Sequence, residues 1–250
     1  MLKVDHISFS YGSRKVLNDV TFDVAPGEIV AVTGANGAGK TTLMKLLACW
    51  LMQDAGRVSL HDTDPMKRPI KYRRAIGYLA ENCPLYDEMT VEEYLTYRVR
   101  LKGERTLRVR RRVSEALATC GLTEMIRTRI QRMSHGFRKR VGLADALSTH
   151  PKLLLLDDLL AGLDRPQRAK CAETLTAASS WAAVVVTGHE LDEMADWCTR
   201  FIVLHKGHVA ATLRTGAYDR HDLLTILDNV AAHGADAAPQ APDNAKEATV

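Results

Sequence analysis

Gly34-Ala35-Asn36-Gly37-Ala38-Gly39-Lys40-Thr41-Thr42 is the stretch on which the reading of this chain turns. Gly34, Gly39, Lys40 and Thr41 match the G-x-x-x-x-G-K-[ST] spacing of a phosphate-cradling loop. Glycines let the backbone wrap a phosphate chain with its N–H groups pointing inward. Ahead of the loop runs Ile29-Val30-Ala31-Val32, a continuous apolar run that suits a buried strand. Behind it, Leu43, Leu46, Leu47 and Trp50 recur at helical spacing and predict a helix over Thr41–Met52. Strand, loop and helix in that order place the positive helix N-terminus against the same phosphates. Lys40 is then expected to reach the β- and γ-phosphates, with the Thr41 hydroxyl on Mg2+. The bland alternative is a glycine turn with no ligand.

Working outward, residues 2–33 read as β structure, carried by Val4, Ile7, Phe9, Val16, Leu17, Val20, Phe22 and Val24. More β is expected at 56–60 and 74–79. Residues 90–150 are helix-rich and heavily charged, and read as a helical lobe inserted into an α/β core. Their arginines, Arg98, Arg100, Arg105, Arg108, Arg110, Arg111 and Arg112, suit a solvated helix face, or contact with anionic lipid headgroups or an acidic partner. The core resumes at Leu153–Leu156 and Ala182–Val186, followed by strands at 200–205 and 207–213 and a helix near 217–228. The domain is expected to span 1–228. Residues 229–250, rich in Ala, Asp and Pro, are expected to form a disordered tail.

Composition excludes several classes. The chain has 250 residues, enough for one large domain or a domain with an inserted lobe. Its net charge of +4 is too small to argue for nucleic acid. It has no run of 18 apolar residues, and MLKVDHISFS at the start lacks the pattern of a signal peptide. Cys49, Cys83, Cys120, Cys171 and Cys198 form no CxxC pair and read as reduced thiols.

A second motif gives the phosphate loop a partner. Leu153-Leu154-Leu155-Leu156-Asp157-Asp158 is an apolar strand ending in acids, which a P-loop nucleotidase uses to hold Mg2+. Around these lie Tyr11, the string Met133-Ser134-His135-Gly136-Phe137-Arg138-Lys139-Arg140, then Ala161-Gly162-Leu163-Asp164, and His189 after Val184-Val185-Val186. In order and spacing the set resembles the nucleotide-binding domain of ABC transporters, over about residues 1–215. The string Glu81-Asn82-Cys83-Pro84-Leu85-Tyr86 resembles the subgroup that works with ABC-2-type exporter subunits, some of them named for gliding motility.

The resemblance implies a P-loop α/β core with an antiparallel β subdomain and an inserted helical subdomain at about 90–150. It implies that ATP and Mg2+ are bound. Tyr11 would stack on adenine, and Gly34 through Thr42 would hold the phosphates. Thr41, Asp157 and Glu81 would hold the metal. Asp158 would act on the attacking water, Glu81 would also serve catalysis beside the metal and that water, and His189 would contact the γ-phosphate. Ser134, His135, Gly136 and Phe137, with Asp164, would meet ATP held by a second subunit, making a homo- or heterodimer the working unit. The partner would be a multi-span permease, with the chain lying on the inner face of the cell membrane and no nucleic acid involved. Simpler readings stand beside two of these: Tyr11 as a turn aromatic, and His189 as a helix-capping histidine.

The sequence departs from that pattern at four places. Asp158 stands where Glu is usual, Leu159-Leu160 where Pro-Thr is usual, Glu81 where Gln is usual, and His135 where Gly is usual. Asp sets its carboxylate about 1 Å short of Glu, a displacement that can cost about 10²-fold in rate. Three functions follow: the ATPase subunit of a transporter, an ATP-binding subunit with weak hydrolysis in a heterodimer, or a non-transport ATPase of the same family.

Overall fold

The computed structural model describes residues 1–238. The chain opens with β1 (Leu2–Tyr11), β2 (Arg14–Val24) and β3 (Ile29–Thr33), then α1 (Lys40–Leu47). Next come β4 (Ala55–Leu60), α2 (Pro69–Ala75) and β5 (Ile76–Leu79). Three helices follow: α3 (Val91–Leu101), α4 (Thr106–Thr119) and α5 (His135–Leu147). The second half runs β6 (Leu153–Leu156), α6 (Arg165–Ser179), β7 (Ala183–Thr187), α7 (Leu191–Met194), β8 (Arg200–His205), β9 (His208–Arg214) and α8 (Arg220–His233).

The strands form two sheets. A three-stranded antiparallel sheet has the order β2-β1-β4, and a six-stranded sheet has the order β5-β6-β7-β3-β8-β9. The large sheet is parallel except at its β8–β9 edge. Every residue of β3, β6 and β7 is buried, as befits parallel strands covered on both faces. Their side chains alternate between two cores. Ile29, Ala31, Leu154, Leu156, Val184 and Val186 pack with the helical lobe, α6 and α8. Val30, Val32, Leu153, Leu155, Ala183 and Val185 pack with α1 and the small sheet. The expected architecture, a P-loop core with an antiparallel β subdomain and a helical lobe, is what the chain adopts.

Local chemistry sets several element ends. Thr90 and Glu93 form a reciprocal capping box at the start of α3. Asp164 caps α6, accepting from the Gln167 N–H at 2.9 Å, and Pro166 fits the first turn. α1 ends at Leu47 and not at Met52. Cys49 turns left-handed (φ 58), its N–H bonding the Leu46 carbonyl at 3.0 Å while the Trp50 N–H bonds the Lys45 carbonyl at 2.8 Å. Those two bonds make a Schellman stop without glycine. Trp50, counted with the apolar face of that helix, stands past its end and is 58% exposed.

Three other expectations need correction. The β stretch at 74–79 begins only at Ile76, because Pro69 starts α2, which buries Tyr72 with its hydroxyl on the Leu47 carbonyl at 2.9 Å. Two of the arginines are part-buried in ion pairs and not free on a solvated face: Arg98 pairs with buried Asp145 at 3.0 Å, and Arg112 pairs with Glu104 at 3.2 Å. The tail does not start at 229. α8 continues to His233, a short 3₁₀ turn covers Ala235–Ala237, and Val230 is fully buried. The rest of the expected tail, 239–250, lies outside the described residues. No helix among the described residues is long and apolar enough to cross a membrane.

Candidate functional site

The C-terminal ends of β3, β5, β6 and β7 point the same way, and the loops leaving them enclose a cavity of about 510 Å³. Crevices at the carboxyl ends of parallel strands are where such sheets bind ligands. The loop after β3 supplies Asn36, Gly37, Gly39, Lys40, Thr41 and Thr42. Glu81 follows β5, Asp157 and Asp158 follow β6, and Thr187 and His189 come from the end of β7. Tyr11 reaches the rim from the β1–β2 hairpin and packs edge-on against Phe9 at 4.8 Å. Residues from Tyr11 to His189 in the chain are thus gathered around one space.

The remaining members of the glycine loop build its shape. Gly34 has φ +140, and a Cβ there would stand 2.1 Å from the Leu204 carbonyl oxygen, so only glycine fits. Ala38 is buried, and its carbonyl accepts from the Gly207 N–H at 3.2 Å. The carbonyls of Gly34 and Ala35 accept from the Lys40 ammonium at 2.7 and 3.2 Å. Lys40 therefore lies folded over its own loop. Burial lowers its pKa, opposed by the charges of Asp158, Asp157 and Glu81.

Asp157 is 1% exposed. Its Oδ1 accepts from the hydroxyls of Thr187 at 2.7 Å and Thr41 at 3.4 Å, while its Oδ2 has no hydrogen-bond partner among the described residues. Burial raises its pKa; the Thr187 bond opposes this, and Glu81 adds to it. Asp158 has a left-handed backbone (φ 53), and its N–H donates to the Thr187 hydroxyl at 2.9 Å. Its Oδ1 is buried and has no partner among the described residues. Thr187 thus bridges the two acids, donating to one and accepting from the other. Sequence reading missed it. The available signal was a hydroxyl closing the otherwise apolar strand Ala183–Val186.

The residues expected to serve a second nucleotide stand apart from this cavity. Ser134 caps α5 without a side-chain capping bond, and both it and His135 are exposed. The His135 ring rests on the loop before α6, its Nδ1 2.9 Å from where a Gly162 Cβ would stand. Gly136 lies under the Gln167 amide, and the Arg140 guanidinium sits 4.2 Å from the centre of the Phe137 ring. Asp164 is the cap of α6. His189 does not cap α7; that position belongs to Glu190.

A lining that brings the carboxylates of Glu81, Asp157 and Asp158 and the hydroxyls of Thr41, Thr42 and Thr187 together with the cations Lys40 and Arg14 suits a polyphosphate with a hard cation. No group of three or more His, Cys, Asp or Glu is arranged to hold a metal by itself among the described residues. Mg2+ characteristically takes one or two carboxylates and completes its shell with phosphates and water. The unpartnered, buried Asp157 Oδ2 next to the Thr41 hydroxyl fits that demand.

The model of the ABC transporter family matches residues 17–161. An uncharacterized ABC transporter ATP-binding protein of Bacillus subtilis, YxlF, is 32% identical over 210 residues, covering 84% of this chain and 70% of that one. The lipopolysaccharide export system ATP-binding protein LptB of Haemophilus influenzae is 32% identical over 216 residues, covering 85% and 90%. Among solved structures, an ATP-binding subunit of an ABC transporter superposes with a TM-score of 0.81 at 29% identity, covering 91% of this chain and 94% of that one.

Proposed function

Since this chain belongs to the ABC transporter family, as an ATP-binding subunit, we propose that its cavity binds Mg-ATP and hydrolyses it to power transport through separate membrane subunits. The observation that carries the reading is the convergence of Lys40, Thr41, Glu81, Asp157, Asp158 and His189 on one cavity.

In this reading Lys40 exchanges the neutral Gly34 and Ala35 carbonyls for the charged β- and γ-phosphates, which bind an ammonium more strongly. The N–H groups of the loop from Asn36 to Thr42 take the remaining phosphate oxygens, except that of Ala38, which bonds the Ala35 carbonyl at 3.1 Å. Tyr11 offers its exposed ring face to adenine. Thr41 and Asp157, with Glu81, would hold Mg2+, which would supply positive charge to neutralise the phosphate oxygens. Asp158 orients a water for in-line attack on the γ-phosphorus and accepts its proton, while His189 donates to a γ-oxygen. The new P–O bond forms as the bond to the β-phosphate oxygen breaks, giving ADP and phosphate.

The positions of Ser134, His135, Gly136, Phe137 and Asp164 support a dimer. They lie outside the chain's own cavity, on surface that can cover the γ-phosphate of ATP held by a second copy or a related subunit. The membrane partner is a multi-span permease of the ABC-2 exporter kind that the Glu81–Tyr86 string resembles, with this chain lying on the inner face of the cell membrane. Hydrolysis is slow for the family, because the Asp158 carboxylate sits on a short arm in a fixed turn. Calorimetry with Mg-ATP tests the binding reading. Lys40→Ala removes the one ammonium in the cradle and should weaken affinity by about 1.5–3 kcal/mol, or tenfold and more. Unchanged affinity would overturn the assignment of the phosphate site.

A further inference from the structure

Lys139 is a buried cation that the functional reading so far leaves unused. It lies in α5, five residues past the Ser134 cap, and only 2% of it is exposed. It forms no salt bridge among the described residues; its ammonium donates to the backbone carbonyl of Asp158. An ammonium held out of water without a carboxylate is an expensive thing for a fold to keep. What it grips is the residue on which the chemistry turns.

The grip has a geometric consequence. Asp158 is a non-glycine residue in the left-handed region, at φ 53. Its N–H is taken by the Thr187 hydroxyl at 2.9 Å, and its carbonyl by Lys139. Both ends of the turn are therefore fixed, one by β7 and the other by α5. The carboxylate between them lines the nucleotide cavity, with Oδ1 buried and without a partner among the described residues. Nothing else named in the structure holds that side chain, so its direction is set by its backbone.

We propose that Lys139 is a positioning residue for hydrolysis: its ammonium pins the Asp158 carbonyl and so fixes the left-handed turn that aims the Asp158 carboxylate at the attacking water. The proposal rests on the reading that Asp158 acts on that water. Lys139 itself does not line the nucleotide cavity. Without it the Asp158 carbonyl has no buried donor, the turn is free to relax, and the carboxylate drifts from its productive position. A drift of about 1 Å costs about 10²-fold in rate.

The test uses the full-length purified protein with Mg-ATP and single-turnover phosphate release, enzyme in excess. Lys139→Met keeps the length of the side chain and removes its donor. The rate should fall about 10- to 100-fold, while ATP affinity by calorimetry stays within twofold and the melting temperature is maintained. The second arm places Lys139→Met in an Asp158→Asn background, where it should change the rate by less than twofold, because the group it positions is gone. A wild-type rate in Lys139→Met overturns the proposal, as does an equal loss in both backgrounds or a parallel loss of ATP affinity. A full rate in Asp158→Asn alone overturns the reading of Asp158 instead. Should Lys139→Met fail to fold, Lys139→Gln, which keeps a neutral donor, runs through the same cycle. A smaller loss that again disappears with Asp158→Asn supports the proposal, and a loss independent of Asp158 refutes it.

Discussion

Replacing Asp158 with Glu separates a short arm from a reshaped site. The added methylene moves the carboxylate outward by about 1 Å, and a misplacement of that size is worth up to about 10²-fold, or about 2.7 kcal/mol of barrier. Two structural costs oppose the gain. Asp tolerates the left-handed region better than Glu, so the φ of 53 at this position adds up to about 1 kcal/mol of strain. Oδ1 is already buried, so a longer side chain meets neighbours, at about 1–3 kcal/mol for overpacking. Both costs fall on folding stability, while the gain falls on the barrier. Asp158→Glu should therefore melt a few degrees lower and release phosphate 10- to 100-fold faster in a single turnover, at unchanged ATP affinity. The assay is rapid-quench phosphate release, by the subunit alone and in complex with its membrane partner. Fast wild-type turnover with no gain in the variant would refute the short-arm argument, showing that Leu159, Leu160 and Glu81 have reshaped the site around Asp.

Two further outcomes follow from buried groups. Burial raises the pKa of Asp157 above its ordinary 3.8, so this group favours the fold below that value and the contribution is lost as pH rises through the folded pKa. Asp157→Asn should then stabilise the nucleotide-free protein at pH 7.5 by about 0.5–2 kcal/mol, read as a melting temperature a few degrees higher, with the gain vanishing near pH 4; calorimetric scans at both values check it, and a pH-independent difference refutes it. At the other end of the chain, Val230 is fully buried and the Ala231 carbonyl meets His205 Nδ1 at 3.0 Å. A chain ending at Asp228 should be less stable than one ending at Ala238 by about 2 kcal/mol and melt several degrees lower; equal melting temperatures would show that the end of α8 contributes nothing.

What was legible in the sequence was what backbone chemistry makes compulsory. A phosphate loop needs its glycines and lysine at fixed spacing, and strands buried on both faces need unbroken apolar runs. The loop, β3, β6 and β7 could therefore be read directly. The end of α1 could not, because its left-handed stop uses Cys49, and a stop is normally read from glycine. α2 is short and carries Lys71, Arg73 and Arg74, so its one buried residue, Tyr72, gave no periodicity. In the site, Lys139 stands between Arg138 and Arg140 and reads as surface charge; only the third dimension shows that it points inward. Thr187 is a single hydroxyl at the end of a strand, and its importance lies in Asp157 and Asp158, thirty positions away. The α8 extension was within reach, since Leu223, Leu227 and Val230 keep helical spacing past 228.

The double-faced sheet also bears on how the chain finds its fold. A strand with one wet face announces its alignment, because sliding it by a single residue drives oily side chains into water. β6 and β7 give no such announcement. A slip of one residue would exchange Leu154 for Leu155 and Val184 for Val185, one greasy surface for another. What distinguishes the true alignment is at the strand ends, where the Thr187 hydroxyl meets the Asp157 carboxylate at 2.7 Å and the Asp158 N–H at 2.9 Å. The same three residues that prepare the site for chemistry thus act as a notch for a folding chain choosing between near-equal pairings. Parallel strands assemble slowly and expose themselves to aggregation while they do. Removing the Thr187 hydroxyl would then reduce the yield of refolded protein as well as the rate of turnover.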